Sequence, residues 1–373
     1  MNQLLDGRSF AKGEAVVVLP QHLTFEISGV DRQAWLHAFL AQRIMGLAAG
    51  ESTEALMLDA TGHVQLAWRV FEGENSTWMF AAPNALYAEC ATSDAFEAWL
   101  RANVFRKKVV IANRSDEFAV VARNDRAGIS LGAGISAGAA GSTGAEPQAS
   151  TVVWQDPWPA EIAGGVRYSK TPLAALGREY HMSESLVPVA EVAGVTGVAS
   201  SVAAHGARVA GLPVVGVEAL TALRIAAHRP SQLAEVDAKT LPHELDWLST
   251  GVHLSKGCYR GQETVAKVHN LGHPPRRLVL LQLDGSGHFL PEVGDPVFVL
   301  GDERQRGVIT STAHHYDMGP IALAVINRVT DPAATLVVQS GNETISATQE
   351  VIVPTDAGSA NPRPRKSLLN GHG

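Results

Sequence analysis

The residues best suited to chemistry lie in one short stretch, Lys256-Gly257-Cys258-Tyr259-Arg260-Gly261-Gln262-Glu263. Glycines near Cys258 give the backbone freedom, and the run after Gly261, QETVAKV, has helical composition. The thiol is therefore expected just before a helix N-terminus. There the partial positive charge of the helix and the cations of Lys256 and Arg260 favour thiolate over thiol. This pattern predicts a reactive cysteine.

Two alternatives for Cys258 stay open at this point. It is a packing residue if the loop is buried, because cysteine is among the residue types most often found inside proteins. It is the nucleophile of a cysteine hydrolase if a base stands near it, and His253, His269 and His273 are the candidates. No sequence motif of such an enzyme accompanies them. For Cys90, in LYAECATSDAF, the apolar helical setting favours packing.

The fourteen histidines raise the question of a metal site. His269 and His273 are four residues apart, but Gly272 and the double proline that follows His273 interrupt any helix that would align them. His314 and His315 are adjacent, so on a strand they point to opposite faces. We therefore predict no metal site.

Composition narrows the class of protein. The chain has 373 residues, a formal net charge of -7 and 46% hydrophobic residues, enough for two or three domains with cores. The acidity argues against nucleic-acid and membrane partners and leaves room only for a local basic patch. Two cysteines indicate a reducing compartment. Because the chain shows neither a cationic and apolar leader nor a long apolar run, we expect a cytoplasmic protein.

The elements that must position the cysteine stretch follow from periodicity. Helices are predicted in GVDRQAWLHAFLAQRI with Asp31 as cap, in SDAFEAWLRANVF with Ser93 or Asp94 as cap, and in GVEALTALRIAAHRP, where Pro230 stops the pattern. The run ALMLDATGHVQLAWRVFEG predicts two strands joined by a turn at Thr61-Gly62.

The remaining segments are distinguished by composition. Residues 132–150 are almost all small, which predicts a flexible surface insertion. Beyond GHPPRRL, short β-type runs closed by Gly, Asp or Pro predict a small antiparallel barrel or sandwich. The tail, residues 356–373, is rich in Pro, Gly and charge and is expected to be disordered.

The stretch KGCYRGQE, followed by HNLGHPPRRL, is similar to the signature of the YgfZ family of folate-binding proteins, relatives of the glycine cleavage aminomethyltransferase (T-protein). The segments LRIAAHRP and TLPHEL resemble the family upstream, and ISGVDRQAWLHAFL and LDATGHV resemble its opening elements. The resemblance covers most of the chain outside the insertion and the tail.

The resemblance implies an α+β fold of three modules in a ring. A discontinuous α+β folate-binding module would comprise residues 1–50 and 116–268, with a ferredoxin-like module at 51–115 and a C-terminal β-barrel at 269–355. Tetrahydrofolate, the implied cofactor, would sit in the central opening.

The resemblance also implies roles for single residues. Lys256 and Arg260 would pair with the folate glutamate carboxylates, and Tyr259 would stack on the ligand or hydrogen-bond to it. Gln262 or Glu263 would hold the loop. Arg224 would face the opening from its helix, and Cys258 is the candidate catalytic residue.

The sequence departs from the T-protein pattern at two informative places. T-proteins carry an adjacent pair of aspartates after a Gly-Gly turn, and one of them serves the aminomethyl chemistry; here Gln65 and Leu66 stand in that stretch. The Gly-Tyr-Thr-Gly-Glu segment that recognises the pterin has no clear equivalent in YSKTPLAALGREYHM.

The resemblance therefore favours a tetrahydrofolate-binding accessory protein that supports assembly or repair of iron–sulfur proteins, with an indirect effect on tRNA modification. The alternative is a folate-dependent aminomethyl or methyl transferase. The expected partners are folate and iron–sulfur client proteins, without nucleic acid or membrane, and the expected state is a monomer.

Overall fold

The computed structural model describes residues 3–19, 21–125, 152–192, 207–287 and 289–360. The predicted insertion at 132–150 lies outside the described residues, as does the tail from residue 361 onwards. The described α-helices are α1 (Gln3–Ala11), α2 (Arg32–Phe39), α3 (Ser93–Ala102), α4 (Leu173–Leu176), α5 (Val189–Val192), α6 (Val217–Ala226), α7 (Gln232–Glu235) and α8 (Gln262–Leu271).

The described strands form three larger sheets and one short hairpin. They are β1 (Val17–Val18), β2 (Leu23–Ser28), β3 (Ser52–Leu58), β4 (Val64–Glu72), β5 (Ser76–Ala81), β6 (Val110–Asn113), β7 (Phe118–Asn124), β8 (Val153–Gln155), β9 (Met182–Pro188), β10 (Arg208–Val209), β11 (Leu212–Pro213), β12 (Arg276–Leu283), β13 (Pro296–Val299), β14 (Gln305–His315), β15 (Gly319–Asn327), β16 (Leu336–Ser340) and β17 (Glu343–Val351).

The first sheet has five strands in the order β3-β4-β5-β2-β6. Gly62, with φ 88°, makes the turn between β3 and β4, where the sequence predicts it. The aromatic residues Phe25, Trp68 and Phe96 pack together under α2 and α3 on one face of this sheet. Because β2 pairs with both β5 and β6, the sheet joins strands from both sides of the boundary predicted between residues 50 and 51. That boundary therefore divides a single sheet.

The structure agrees with one predicted helix cap in position and differs at another. Asp31 occupies the N-cap position of α2 as predicted, but its carboxylate accepts a hydrogen bond from Lys108 N instead of from the helix. At α3 the cap is Thr92, whose hydroxyl accepts from Ala95 N at 3.2 Å, rather than Ser93 or Asp94. Helix α6 ends at Ala226, before Pro230, and left-handed His228 (φ 59°) turns the chain away.

The second sheet has the order β1-β7-β9-β8, so strand β1 from the N-terminal segment pairs with β7. Trp154 on β8 is fully buried, and its indole N–H donates to Thr53 O on β3 at 2.8 Å, which ties the two sheets together. Helices α1 and α6 pack beside this unit, with Phe10 and Leu223 in a common core.

The C-terminal sheet is a closed antiparallel barrel in the order β12-β15-β14-β13-β16-β17, which confirms the predicted barrel. Strand β12 shows the period of two that such a strand requires. Val279 and Leu281 lie in the barrel core, whereas Leu278 and Leu280 pack with the core that contains Phe10 and Leu223. The barrel is thus joined to the rest of the chain by an apolar interface.

The first residues of the predicted disordered tail are packed. Ser359 N donates to Gly272 O at 2.8 Å and Ala360 N donates to His269 O at 2.9 Å, while Ala357 O accepts from His273. These bonds satisfy carbonyls at the C-terminal end of α8, where a helix lacks its own partners. The prediction of a disordered tail from residue 356 is therefore wrong for residues 356–360. Within the described ranges, no helix is long and apolar enough to cross a bilayer.

Candidate functional site

The cysteine loop, defined as residues 256–261, leads directly into α8 as predicted. Gly261 precedes the helix with φ 82°, a left-handed conformation that favours glycine. A Cβ at Gly261 would lie 2.6 Å from Asp59 O, and a Cβ at Gly62 would lie 3.0 Å from Thr264 Cβ. The loop therefore packs backbone to backbone against the β3–β4 turn at Gly261, while Gly62 packs against the Thr264 side chain on α8 and has the left-handed backbone that the turn requires.

That turn is rigid because its own carboxylate holds it. Asp59 Oδ1 accepts hydrogen bonds from Thr61 N at 2.8 Å and from His63 N at 2.9 Å. Burial works to raise the pKa of Asp59, but the hydrogen bonds from His63 and Thr61 outweigh it, so that its pKa lies below the ordinary value. The cysteine loop therefore rests on a fixed, ionised turn.

The side chains of the cysteine loop divide into two groups. Cys258 and Arg260 are exposed, as is Glu263 just beyond the loop, so these three side chains are accessible to a ligand or partner. Tyr259 is buried at 7% exposure, and burial raises its pKa. The structure thus shows an accessible thiol, as the reactive-cysteine prediction requires and the packing alternative does not.

The Lys256 side chain binds backbone carbonyls inside the protein and does not project from the surface. Its ammonium donates to the carbonyls of His37 (2.6 Å), Leu40 and Gln42 (3.3 Å), which follow or end helix α2. Desolvation lowers its pKa to about 8. Because the three carbonyls occupy its three hydrogens, this ammonium anchors the loop to α2 and has no donor left for a folate carboxylate.

The other two predicted site residues have structural contacts. Gln262 Nε2 donates to Lys256 O at 3.4 Å and so closes the loop, in line with the predicted holding role. Arg224 instead pairs with Glu235 at 3.1 Å and donates to Ser311 Oγ on barrel strand β14 at 2.5 Å. Among the described residues, neither a hydrogen bond nor an ion pair joins Arg224 to the cysteine loop.

A cluster of polar side chains that the sequence did not group lies near the same turn. We define the Gln65 cluster as Gln65 on β4 together with Tyr87, Glu89 and Cys90, which lie between β5 and α3 in and just before a 3₁₀ turn at Ala88–Cys90. Gln65 is 1% exposed, and its Nε2 donates to Glu89 Oε1 at 3.0 Å. Its Oε1 and the Tyr87 hydroxyl are buried without a hydrogen-bond partner in the described part of the chain. Buried polar atoms normally have partners. Fourteen other buried side-chain atoms in the described residues also have none, but these two are candidates for contact with a ligand because they lie near the accessible cysteine loop.

The electrostatics of the cluster connect it to the cysteine loop. Burial, and then the negative charge of Asp59, raise the pKa of Tyr87 to about 12. Burial, and then Glu89, raise the pKa of Cys90 to about 12, while the Arg260 cation opposes them. Cys90 is therefore a neutral thiol at neutral pH, and Arg260 lies close enough to act on it. The predicted packing role of Cys90 agrees with its full burial.

A second group of charges, also missed from the sequence, is fully internal. We call it the Arg229 network: Arg229 donates to Glu54 Oε1 at 2.5 Å and to Asp156 Oδ2 at 2.9 Å. Burial works to raise the pKa of Glu54, but Arg229 outweighs it and keeps the pKa below its ordinary value. Burial raises the pKa of Asp156, although Arg229 opposes this. The network joins β3, the segment after β8 and the segment after α6.

The network is completed by side chains that donate to the same carboxylates. Trp247 Nε1 donates to Glu54 Oε2 at 2.9 Å, and Tyr180 OH donates to Asp156 Oδ2 at 2.7 Å. The indole of Trp158 lies beneath the guanidinium of Arg229, with 5.1 Å from Cζ to the ring centroid. Carboxylates so fully engaged hold the fold together and have little capacity left for a substrate.

No protein-family model matches the chain, and no curated protein matches it. Among solved structures, the chain is similar to the crystal structure of glycine cleavage system aminomethyltransferase T from Bartonella henselae. The TM-score is 0.65 at 14% sequence identity, over 97% of this chain and 91% of that one. The two chains therefore share a fold, in agreement with the predicted relation to T-proteins, while membership of the YgfZ family stays a prediction.

Proposed function

We propose that the protein binds a reduced folate, tetrahydrofolate, between the cysteine loop and the Gln65 cluster. The observation that carries the proposal is the pair of buried, unpartnered polar atoms, Gln65 Oε1 and the Tyr87 hydroxyl, beside the accessible loop. Folate offers ring N–H groups and carboxylates that suit such atoms and the exposed Arg260 cation. The shared fold with a glycine cleavage aminomethyltransferase supports the choice of ligand class.

We further propose that the protein acts as an accessory factor rather than as an aminomethyltransferase. The stretch in which T-proteins carry their aspartate pair holds Gln65, an amide, and Leu66, which is fully buried in the apolar core. An amide side chain does not take up a proton near neutral pH, so it cannot act as the base that such chemistry needs. Support of iron–sulfur protein assembly or repair, with an indirect effect on tRNA modification, follows from the YgfZ resemblance and would involve Cys258.

One observation favours the alternative, a folate-dependent aminomethyl or methyl transferase. Glu89 Oε1 lies 3.0 Å from Gln65 Nε2, so a carboxylate stands one hydrogen bond from the stretch that holds the aspartates in T-proteins. In this alternative Glu89 supplies the base and Gln65 orients it.

Calorimetric titration of the purified protein with tetrahydrofolate tests the binding. We expect heat of binding and a raised thermal midpoint, because a ligand specific to the native state stabilises it. Absence of both at millimolar folate would overturn the proposal. A transfer assay with tetrahydrofolate and an aminomethylated carrier protein separates the two functions. Turnover that is lost in Glu89→Gln would establish the transferase, whereas binding without turnover supports the accessory role.

The accessory role itself is tested in cells. We expect Cys258→Ser to leave the fold and folate binding intact, because the exposed side chain changes little in size, and to abolish support of iron–sulfur enzymes. Full activity of those enzymes with Cys258→Ser would remove the thiol from the proposed function.

A further inference from the structure

Apolar and cationic side chains project together at one end of the five-stranded sheet. We define the Phe105 tip as Val30, residues 105–108 and Val110. Val30 is 84% exposed, Phe105 85% and Val110 65%, so most of each side chain is in water. Phe105 is followed by Arg106, Lys107 and Lys108, all of which are exposed. The tip is therefore both apolar and basic on a chain of net charge -7.

The backbone holds the two loops of the tip together. Lys108 N donates to Asp31 Oδ2 at 2.7 Å, and Asp31 N donates to Lys108 O at 3.4 Å. At Gly29, with φ 105°, an added Cβ would lie 2.2 Å from Lys108 O. Since only glycine permits this approach, the exposed side chains are presented from a fixed frame.

Phe105 is held in a costly conformation at its most exposed point. Its φ is 50°, in the left-handed region that a bulky side chain rarely adopts. An exposed loop position gains nothing in packing from a phenyl ring, and glycine or asparagine would fit the backbone better. A strained and exposed aromatic residue points to a role in binding.

The charges around the tip are positive in sum. Within the described ranges, the side chains of Arg106, Lys107 and Lys108 form neither hydrogen bonds nor ion pairs. Three carboxylates nearby accept hydrogen bonds: Asp31 from the backbone N–H of Lys108 within the tip, Glu97 from Arg101 at 2.6 Å, and Glu72 from Arg32 at 2.5 Å. Glu74, on the exposed turn between β4 and β5 at the same end of the sheet, adds one negative charge, so the three cations of the tip still predominate. The three cations are thus available to an anionic partner.

We propose that the Phe105 tip docks the protein reversibly on an anionic bilayer surface. Phe105 and Val30 enter the headgroup region, and the three cations lie against lipid phosphates. A bilayer interface surrounds single projecting side chains on every side, whereas a protein partner would have to supply a pocket for each of them. Mixed aromatic and basic side chains are the composition that such an interface accepts. The chain as a whole is acidic, but screening limits that repulsion to about 10 Å at ordinary salt.

Sedimentation with vesicles tests the docking on the full chain. We expect the protein to sediment with vesicles of equal parts phosphatidylglycerol and phosphatidylcholine, to stay in solution with phosphatidylcholine alone, and to be released by added salt.

Two variants test the residues. Phe105→Gly relieves the left-handed backbone, so it should fold at least as stably as the wild type in urea and still bind the anionic vesicles at least about tenfold more weakly. Lys107→Glu with Lys108→Glu should weaken binding by more than about tenfold. The matched control, Lys170→Glu with Lys239→Glu, changes the net charge equally at exposed sites elsewhere and should bind like the wild type.

Three outcomes overturn the proposal. The first is a wild-type protein that ignores anionic vesicles, and the second is equal loss of binding in both charge-reversed variants, which would indicate net charge alone. The third is binding to an immobilised Asp- and Glu-rich peptide that depends on Phe105 and occurs without vesicle binding, which would assign the tip to an acidic protein partner.

Discussion

The cysteine loop with the Gln65 cluster and the Arg229 network are both polar regions, yet they use their polar groups in opposite ways. In the network, the carboxylates of Glu54 and Asp156 are buried and accept hydrogen bonds from Arg229, Trp247 and Tyr180, while Arg229 Nη1 has no partner in the described residues. Beside the loop, Gln65 Oε1 and the Tyr87 hydroxyl have no partner in the described residues, and Cys258 is exposed.

The difference separates charge that maintains the fold from polarity that is available for a ligand. A buried ion pair costs desolvation, and it is kept only when geometry and further hydrogen bonds offset that cost. A buried polar atom without a partner loses its hydrogen bonds to water, and no hydrogen bond inside the protein offsets that loss. Paired buried charges therefore mark the frame here, and unmet hydrogen-bonding capacity next to an accessible loop marks the candidate site.

The largest expected effect comes from Arg229→Met, which tests the structural half of this comparison. The substitution leaves Glu54 and Asp156 buried without their counter-charge, so the free energy of unfolding should fall by roughly 3–5 kcal/mol. Urea unfolding measures it. Arg304→Met, at an exposed position, is the control and should change stability by less than about 0.5 kcal/mol. Equal losses in the two variants would show that the network does not hold the fold.

His243, beneath α8, gives the next effect, which depends on pH. Its side chain is fully buried with Nε2 3.0 Å from Val265 O, and burial lowers its pKa to about 4. In the unfolded chain the pKa of histidine is about 6.5, so the unfolded state binds more protons between the two values. Stability is therefore lost as the pH falls from 6.5 to 4, by about 3 kcal/mol from this residue.

His243→Gln keeps a donor for Val265 O and removes the titration. The stability difference between wild type and variant, measured by urea unfolding at several pH values, should change by about 3 kcal/mol across this window. Carboxylates titrate in both proteins and cancel in the difference. A difference that stays constant with pH would mean that His243 is solvated and charged in the folded protein.

Gln65→Leu tests the ligand half of the comparison with a smaller effect. The substitution removes Oε1, the proposed acceptor for folate, so we expect affinity for tetrahydrofolate to fall by about tenfold. Stability should change by less than about 1 kcal/mol, because the loss of the bond to Glu89 is offset by removal of an unpartnered buried atom. Calorimetry and urea unfolding measure the two quantities. Loss of stability without loss of affinity would make Gln65 a structural residue.

The contrast also explains which features of the fold and of the candidate site can be predicted from the sequence. The barrel, the β3–β4 turn and the helix after Gly261 follow from period-two patterns and glycine positions, which are local properties. The contacts that Arg224 and Arg229 make depend on tertiary packing and not on their immediate neighbours in the sequence. In LRIAAHRP the resemblance selects Arg224 for the site, but Arg224 binds Glu235 and Ser311, and the fully internal cation is Arg229.

The same limit applies to the loop and the candidate site. The sequence predicts Lys256 as a cation for a ligand, but the fold brings carbonyls from the end of α2 and from the residues after it against its ammonium. Gln65 is marked in the sequence only as a departure from the T-protein pattern. Its cluster depends on packing between β4 and residues 87–90, more than twenty positions further along the chain, where the sequence has no periodic signal. Partners that meet through tertiary packing are outside what periodicity and spacing predict.

The smallest expected effect on stability sharpens the contrast between the two cysteines. Cys258 is exposed, whereas Cys90 is fully buried with its pKa raised to about 12. Since thiolate is the reactive form, iodoacetamide at neutral pH should modify Cys258 in the native protein and reach Cys90 only after unfolding. Mass spectrometry counts the adducts, and Cys258→Ser should take none until urea is added while changing stability by less than about 0.5 kcal/mol.

Tetrahydrofolate provides the decisive arm of the same experiment. If the ligand lies between the cysteine loop and the Gln65 cluster, saturating folate should slow alkylation of Cys258, and Gln65→Leu should need more folate for the same protection. Protection that is unchanged in Gln65→Leu would place the ligand against the loop but away from the cluster. An unchanged alkylation rate at saturating folate would place the ligand elsewhere. The unpartnered atoms of Gln65 and Tyr87 would then need a hydrogen-bond partner other than folate.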